Sequence, residues 1–246
     1  MDNNKLNYTY DNIIQVDENT VTRKFMANVF LWMFLALGIS ALCAFEAAFN
    51  PSVRDVIYDA TTGQRTGLGT LTIFAPFAFI MVMGLGLQKL AYPILVVLFI
   101  AFAAVMGVGL SSIFLQYTIN AILGVFASTS VLFAVMAIAG YTTQTDLTKF
   151  GSLMMMGLVG IIIASVVNWF LQSNQLDYII SFVGVAVFIG LTAYDVQKLK
   201  QIAATEDIDG TLKSKLGLMG ALSLYLDFVN LFLMLLRLFG GGRGRN

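Results

Sequence analysis

Long apolar blocks separated by short polar stretches make up most of this chain. Seven blocks are close to the roughly 20 residues that an α-helix needs to cross about 30 Å of hydrocarbon. No charged side chain occurs between Leu90 and Thr145. The pattern predicts an all-α membrane protein with seven transmembrane helices. We place them at about residues 25–49, 71–87, 93–115, 119–141, 150–171, 178–196 and 216–239.

The polar segments predict the domain organisation. Residues 1–22 predict a cytoplasmic N-terminal tail, residues 23–240 the seven-helix domain, and residues 241–246 a flexible C-terminal tail. Residues 201–215 are the most polar internal segment and predict a solvated linker, because their acids do not have the spacing of a calcium-binding loop.

Two connections carry local signals. Asn50 precedes Pro51, and a residue before proline disfavours the α conformation, so the first span should end there. Residues 56–66 contain a β-type run followed by turn residues and predict a short hairpin. Asp146 is placed to cap the fifth span.

The distribution of Lys and Arg predicts the orientation, because short cytoplasmic loops carry an excess of both. Only Arg54 and Arg65 fall in the loop opposite the N-terminus, which should therefore be cytoplasmic. Seven full crossings would place Arg243 and Arg245 outside, mildly against the rule, so the pattern leaves open whether the last helix crosses completely. The residues on the N-terminal side are Lys5, Arg23, Lys24, Lys89, Lys149, Lys198, Lys200, Lys213 and Lys215.

Composition narrows the functional classes. Hydrophobic residues make up 58% of the 246 positions and charged residues 11%, against about 25% charged in an average soluble domain. Lys plus Arg and Asp plus Glu are 14 each, which does not suggest a nucleic-acid partner. The chain has no His, which removes imidazole proton relays and His-based metal sites, and the lone Cys43 cannot form an internal disulfide.

Two acids lie inside predicted spans. Asp227 is near the middle of the seventh span and Asp195 is near the end of the sixth. A carboxylate in hydrocarbon is costly, so each should face protein, water or a partner. At the rise of a helix, Asp195 should be roughly 5–8 Å and Asp227 roughly 16 Å inside the boundary.

Other polar residues support a site around these acids. Ser223, Asp227 and Asn230 are spaced i, i+4 and i+7 on one helical face, and Thr192 shares a face with Asp195. Glu46 lies close to the far end of the first span. It is either an interfacial residue among headgroups or part of a mouth of the pocket.

The residues alone leave two interpretations open. If Asp195 and Asp227 meet in a pocket, they should share a proton and titrate as a coupled unit. When deprotonated, the two would offer a site for Ca²⁺, which takes oxygen ligands. Alternatively, Asp195 pairs with Lys198 at the interface while Asp227 bonds to neighbouring hydroxyls as a packing element.

Three segments resemble the Bax inhibitor-1 family of transmembrane proteins, in its bacterial form. They are Phe188–Lys198, Ala221–Phe232 with Arg237 further on, and Gly140–Gly151. The resemblance covers about residues 24–240. It implies a last helix that is central and wrapped by the other six. It also implies that Asp195 and Asp227 form a hydrogen-bonded, pH-sensing pair that opens and closes a calcium leak.

The resemblance also implies an alternative role. Eukaryotic relatives are associated with protection from cell death, and a bacterial relative with modulation of a membrane-bound quality-control protease. One departure concerns the end of the second span, where a characterised bacterial branch has an Arg that bonds the aspartates. Here residues 84–90 contain Lys89 and no Arg. The ammonium group of Lys89 could supply a positive charge to the aspartates, but not the planar, two-point hydrogen bonding of a guanidinium group.

We therefore expect a pH-sensitive calcium leak in the cell's inner (plasma) membrane, with Ca²⁺ as the permeant or bound ion and no required cofactor. The alternative is a membrane-embedded regulator that binds a protease or another membrane protein through residues 1–20 and its loops. An enzyme is not expected. The chain has no nucleophile motif, and it lacks the motifs that carry the acids of intramembrane aspartyl proteases.

Overall fold

Helices occupy nearly all of the residues that the computed structural model describes, which are 18–59, 61–205 and 207–241. The predicted tails therefore lie mostly outside the described residues. In chain order the helices are α1 Glu18–Phe49, α2 Pro51–Ile57, α3 Gly67–Gly86, α4 Tyr92–Leu110, α5 Ser112–Gln116, α6 Ile119–Thr142, α7 Thr148–Leu171, α8 Asn174–Ala204 and α9 Gly210–Phe239.

Seven of these elements are long and apolar enough to cross a membrane. They are α1, α3, α6, α7, α8, α9, and the pair α4 and α5, which together form one span from Tyr92 to Gln116. The prediction of an all-α fold with seven transmembrane helices is confirmed, and the protein is a multi-pass membrane protein.

Several helices are longer than their apolar blocks. α8 continues to Ala204 and α9 begins at Gly210, so most of the predicted linker 201–215 is helical. Asp209 caps α9, because its Oδ2 accepts hydrogen bonds from the backbone N–H groups of Thr211 and Leu212. Residues 18–22, assigned to the tail, likewise belong to α1. Hydropathy marks where a helix leaves the lipid, whereas caps decide where it ends.

The connection after α1 differs from the predicted hairpin. Asn50 accepts a hydrogen bond from the Ser52 N–H at 3.1 Å and starts α2, with Pro51 in its first turn. Proline suits that position because its fixed φ is already helical. The hairpin prediction is wrong up to Ile57, and the described part of this loop keeps one antiparallel bridge, between Tyr58 and Arg65.

The last helix is the most buried of the seven spans. In its most apolar stretch 72% of α9 is buried, compared with 56% for α8 and 33% or less for the others. α9 packs substantially against α1, α4, α6 and α8, whereas α3 packs mainly on α4 and α7 mainly on α8. The described packing around α9 thus consists of four principal neighbours rather than all six helices.

The bundle has two distinct ends, which fix the path of α9. At the N-terminal side, where α1 and α9 begin, Lys200 contacts the end of α6. At the far side, Arg237 pairs with Asp177 at the start of α8, and Gly240 lies against Tyr117. The 30 residues of α9 span roughly 45 Å at 1.5 Å per residue. The last helix therefore traverses the whole bundle.

Close helix contacts occur at small residues, as expected for packing in lipid. A Cβ on Gly107 of α4 would lie 2.4 Å from the Ser40 carbonyl oxygen of α1. A Cβ on Gly140 of α6 would lie 2.2 Å from the Ala193 carbonyl oxygen of α8. Backbone atoms cannot move aside as a flexible side chain can, so α6 and α8 can approach this closely only with glycine at 140.

We expect Gly140→Ala to lower the free energy of unfolding by about 1–3 kcal/mol, the usual range for overpacking. Gly124→Ala in the same helix is the control, because nothing lies within 4 Å of its added Cβ. Unfolding of the purified protein in detergent, followed by circular dichroism, measures both. Equal stability of the two variants would contradict the close α6–α8 contact.

A carboxylate cleft between the last two long helices

Asp195 of α8 is joined to α9 by one side-chain hydrogen bond. The Ser223 hydroxyl donates to Asp195 Oδ2 at 2.6 Å. Asp195 is partly buried at this point, and the bond is among the short ones expected when the acceptor is a carboxylate. The contact joins two of the residues that the sequence singled out, and it links the two most buried helices.

Asp227 lies one helical turn beyond Ser223, on the same face of α9. It is only 5% exposed, and among the described residues its Oδ2 has no hydrogen-bond partner. Buried polar atoms nearly always have a partner, because an unsatisfied one retains its full desolvation penalty. Asp227 therefore depends on a proton, a cation or water for stabilisation.

The two carboxyls are not hydrogen-bonded to each other among the described contacts, and Ser223 holds Asp195 instead. The alternative interpretation, in which Asp195 forms an ion pair with Lys198, is not observed either. The described ion pairs are Arg54–Asp55 and Arg237–Asp177, so Asp195 does not pair with Lys198, which is exposed. The structure thus places the two acids on two helices that pack together, with Asp195 held by Ser223 one turn before Asp227 on α9.

A cleft of about 250 Å³ leads to Asp195 from the N-terminal side. It runs between the end of α8 and the beginning of α9, so a solute can approach Asp195 and Ser223 from that side. Asp227, further along α9, is not part of its lining. The lining residues are Asp195, Lys198, Leu199, Ile202, Leu216, Met219, Gly220 and Ser223.

A second polar contact, which the sequence did not indicate, lies in the core of the bundle. Ser40 Oγ donates to the Ala103 carbonyl at 2.7 Å and lies 2.7 Å from the Tyr225 hydroxyl. Because the serine proton is used on Ala103, Tyr225 is the donor in the second bond. Tyr225 is fully buried and packs edge-on against Phe102. These bonds connect α9, α1 and α4. A buried tyrosine hydroxyl usually has a hydrogen-bond partner. The presence of Tyr225 inside the seventh predicted span was therefore the signal in the sequence that could have indicated this contact.

Two of the predicted supporting residues do not bond to the acids. Thr192 is buried, and its hydroxyl donates to the Phe188 carbonyl of its own helix at 2.7 Å. Asn230 is partly buried, and its side chain makes no hydrogen bond among the described residues. Both lie on the helices that carry the acids.

Two further predicted residues lie away from the acids. Glu46 is exposed at the far side and accepts a hydrogen bond from Asn50. Lys89 is exposed, and its side chain makes no ion pair or hydrogen bond within the described part of the chain. Lys215, at the start of α9, reaches the end of α3 instead and donates to the Leu87 carbonyl at 3.2 Å.

The segment after Asp195 is clamped to the α6–α7 turn. Gln197 is buried, its Nε2 donates to the Thr145 carbonyl at 2.8 Å, and its Oε1 accepts from the Leu147 N–H at 2.8 Å. Lys200 donates to the Tyr141 carbonyl one turn later. The register of α8, and with it the position of Asp195, is thus tied to a loop in another part of the chain.

The same turn contains the predicted cap of α7. Leu147 holds the N-cap position of α7 without a side-chain capping bond, so the prediction of Asp146 as the N-cap is wrong by one residue. Asp146 Oδ1 accepts instead from both the hydroxyl and the backbone N–H of Thr148, the first residue of α7. These hydrogen bonds, the one from the hydroxyl above all, hold the pKa of Asp146 below its usual range.

The sequence model of the family described as "Inhibitor of apoptosis-promoting Bax1" matches residues 22–244. The chain belongs to the Bax inhibitor-1 family. It is 41% identical over 234 residues to the inner membrane protein YbhL of Escherichia coli K12, covering 95% of this chain and 97% of that protein. It is also 40% identical over 226 residues to an uncharacterized protein of Borreliella burgdorferi, with 92% of this chain and 95% of that protein covered.

The three segments that resemble the Bax inhibitor-1 family converge in space. Residues 188–198 and 221–232 carry the two acids on neighbouring helices. Residues 140–151 form the turn that Gln197 holds. These three segments therefore form the carboxylate cleft and its clamp.

Proposed function

We propose that this protein is a pH-regulated leak pathway for Ca²⁺, gated by Asp195 and Asp227. The single observation that carries the proposal is the burial of Asp227 in the core of a membrane protein with an oxygen that no described group satisfies. Acids inside membrane spans are rare and mark ion and proton pathways. Such an acid, next to a second one at the end of a cleft, is suited to take up a proton or a cation.

The proposed cycle follows from charge. With a proton on the pair, the repulsion between the two acids is relieved and α8 and α9 stay together through Ser223. Loss of that proton places two negative charges near each other in a medium of low dielectric constant, which separates the helices and attracts a cation. The leak should therefore increase as the pH rises through the titration of the pair.

Calcium fits this site as a transported ion. Ca²⁺ takes oxygen ligands, usually six to eight of them. Asp195, Asp227 and the Ser223 hydroxyl supply part of that shell, and water entering through the cleft would supply the rest. A partial protein shell suits an ion in transit, because an ion that is held weakly can leave again.

The buried Tyr225–Ser40 contact suits a closed gate at the level of the acids, because Tyr225 lies between Ser223 and Asp227 on α9. It joins α9 to α1 and α4 within a fully buried layer, so an ion that reached Asp227 would meet packed side chains. In the proposal, repulsion between the acids shifts α9 and loosens this layer. Opening thus requires movement of the most buried of the seven spans.

We assign the protein to the inner membrane, as the name of its Escherichia coli relative states for that protein. We also assign the N-terminal side to the cytoplasm, since Lys and Arg predominate there. The cleft would then open to the cytoplasm. The described basic residues on this side are Arg23, Lys24, Lys89, Lys149, Lys198, Lys200, Lys213 and Lys215.

Reconstitution tests the function directly. We expect vesicles containing the purified protein and an enclosed calcium indicator to take up Ca²⁺ several-fold faster than protein-free vesicles, with the rate increasing across roughly pH 5 to 8. Uptake equal to that of the protein-free vesicles at every pH would remove the proposal. It would leave regulation of a partner, which such vesicles do not contain, as the remaining hypothesis.

A further inference from the structure

A second cleft, of about 320 Å³, lies between α1 and α6 on the N-terminal side. α8 packs against both helices, whereas direct contact between α1 and α6 is slight in the described part of the chain. The space is therefore a gap between two membrane-spanning helices. Its lining residues are Arg23, Met26, Phe30, Ala137, Ile138 and Tyr141.

The polarity of this cleft changes along its length. Met26, Phe30 and Ile138 provide apolar walls. Arg23 lies at the outer rim, is exposed, and forms no ion pair or hydrogen bond within the described residues. Tyr141 lies at the same end, with the ammonium group of Lys200 5.1 Å from the centre of its ring. The rim is basic and the interior is apolar.

These features match one kind of occupant. Apolar cavities are poor sites for water, which needs two to four polar partners. A gap between spans is instead open to acyl chains. Basic pockets between transmembrane helices are suited to anionic lipid headgroups. The planar guanidinium of arginine binds phosphate oxygens in a two-point geometry that lysine cannot reproduce.

We propose that this cleft binds an anionic phospholipid, with its phosphate on Arg23 and one acyl chain between α1 and α6 along Phe30 and Ile138. The lipid would fill the gap in front of α8 and hold α1 and α6 to it. This site is separate from the carboxylate cleft, and the proposal stands whether or not the protein conducts Ca²⁺.

Native mass spectrometry of the full chain, taken from nanodiscs of phosphatidylcholine and phosphatidylglycerol, tests the headgroup. We expect Arg23→Gln to reduce retained phosphatidylglycerol relative to phosphatidylcholine about five-fold, because a basic side chain beside a bound anionic headgroup contributes roughly that factor. Lys24→Gln is the matched control, because Lys24 is the adjacent exposed cation but does not line the cleft. Equal losses in the two variants would indicate a general charge effect and overturn the site.

A second pair of variants tests the acyl chain. Ile138→Trp places a large side chain in the cleft from a position that is 63% exposed, so the fold should tolerate it. Ile162→Trp on α7 is the control, at 54% exposure. Retention of both lipids should fall only in Ile138→Trp. Inorganic phosphate, added as a free anion, should not displace phosphatidylglycerol. Displacement by phosphate, or unchanged retention in Ile138→Trp, would contradict a lipid site.

Discussion

Replacing Asp227 with asparagine is expected to abolish the pH dependence of the proposed calcium leak. Asparagine has nearly the shape of a protonated aspartate but cannot lose the proton. The repulsion with Asp195 therefore never arises, and the cleft never gains its second charge. Uptake by reconstituted Asp227→Asn should stay near the low-pH rate of the wild type across roughly pH 5 to 8. Calcium-indicator vesicles measure the rate at each pH.

The control for this experiment is Asp207→Asn, which removes an exposed acid on the same side of the bundle. It should keep the wild-type pH profile. A profile that Asp227→Asn leaves unchanged would show that this acid is not the sensor, even if the protein conducts Ca²⁺. Asp195→Asn should reproduce the flat profile, because either substitution removes one member of the pair.

Stability provides an independent readout for the same variant. Asp227 is buried, and one of its oxygens has no partner among the described residues, so its charged form is penalised in the folded state. Asp227→Asn should therefore be at least as stable as the wild type above neutral pH, measured by thermal unfolding in detergent. A marked loss of stability of Asp227→Asn above neutral pH would contradict this, because it would show that the Asp227 carboxylate is stabilised in the folded protein.

Replacing Gln197 with leucine is expected to be the most destabilising single change considered. The amide makes two hydrogen bonds of 2.8 Å to the backbone of the α6–α7 turn, and it is 7% exposed. Leucine would leave the Leu147 N–H and the Thr145 carbonyl without these partners. The free energy of unfolding should fall by about 2–4 kcal/mol, from two lost bonds and the desolvation they offset. Denaturation in detergent, followed by circular dichroism, gives the value.

Gln201→Leu is the matched control, one turn further along the same helix and exposed. It should change stability by less than about 0.5 kcal/mol, as for most surface positions. Since Gln197 fixes the helix that carries Asp195, Gln197→Leu should also shift the midpoint of the proposed leak's pH profile. Similar unfolding of the two variants would show that the clamp does not hold α8.

The positions of the acids were predictable because charge inside an apolar block stands out against its surroundings. Asp195 and Asp227 were assigned on that basis, and Ser223 was placed on the face of Asp227 by helical periodicity alone. That Ser223 bonds to Asp195 rather than supporting Asp227 was not predictable, because it depends on the relative rotation of α8 and α9. Helical periodicity shows which residues share one face of a helix. It does not show which face of a neighbouring helix those residues contact.

Predictions failed where hydropathy was used to locate helix ends. Residues 201–215 are polar, yet α8 and α9 extend through most of them, beyond the apolar blocks. Lys89 was a candidate partner for the acids because the resemblance to the Bax inhibitor-1 family implies a basic residue at the end of the second span. In the structure it is exposed, and Lys215 makes the contact with that end. Proximity along a sequence says little about contacts between elements that are far apart in the chain.

The class of protein, the seven apolar helices and the two acids inside them follow from the residues alone, because the bilayer imposes a length and a polarity on every span. Which side chains meet depends on how the helices pack. The Ser223–Asp195 bond, the unpartnered oxygen of Asp227, the Tyr225–Ser40 contact and the Gln197 clamp all join or face different elements. In lipid every span is apolar on most faces, so hydrophobicity cannot select neighbours. Small-residue packing and a few buried hydrogen bonds select them instead.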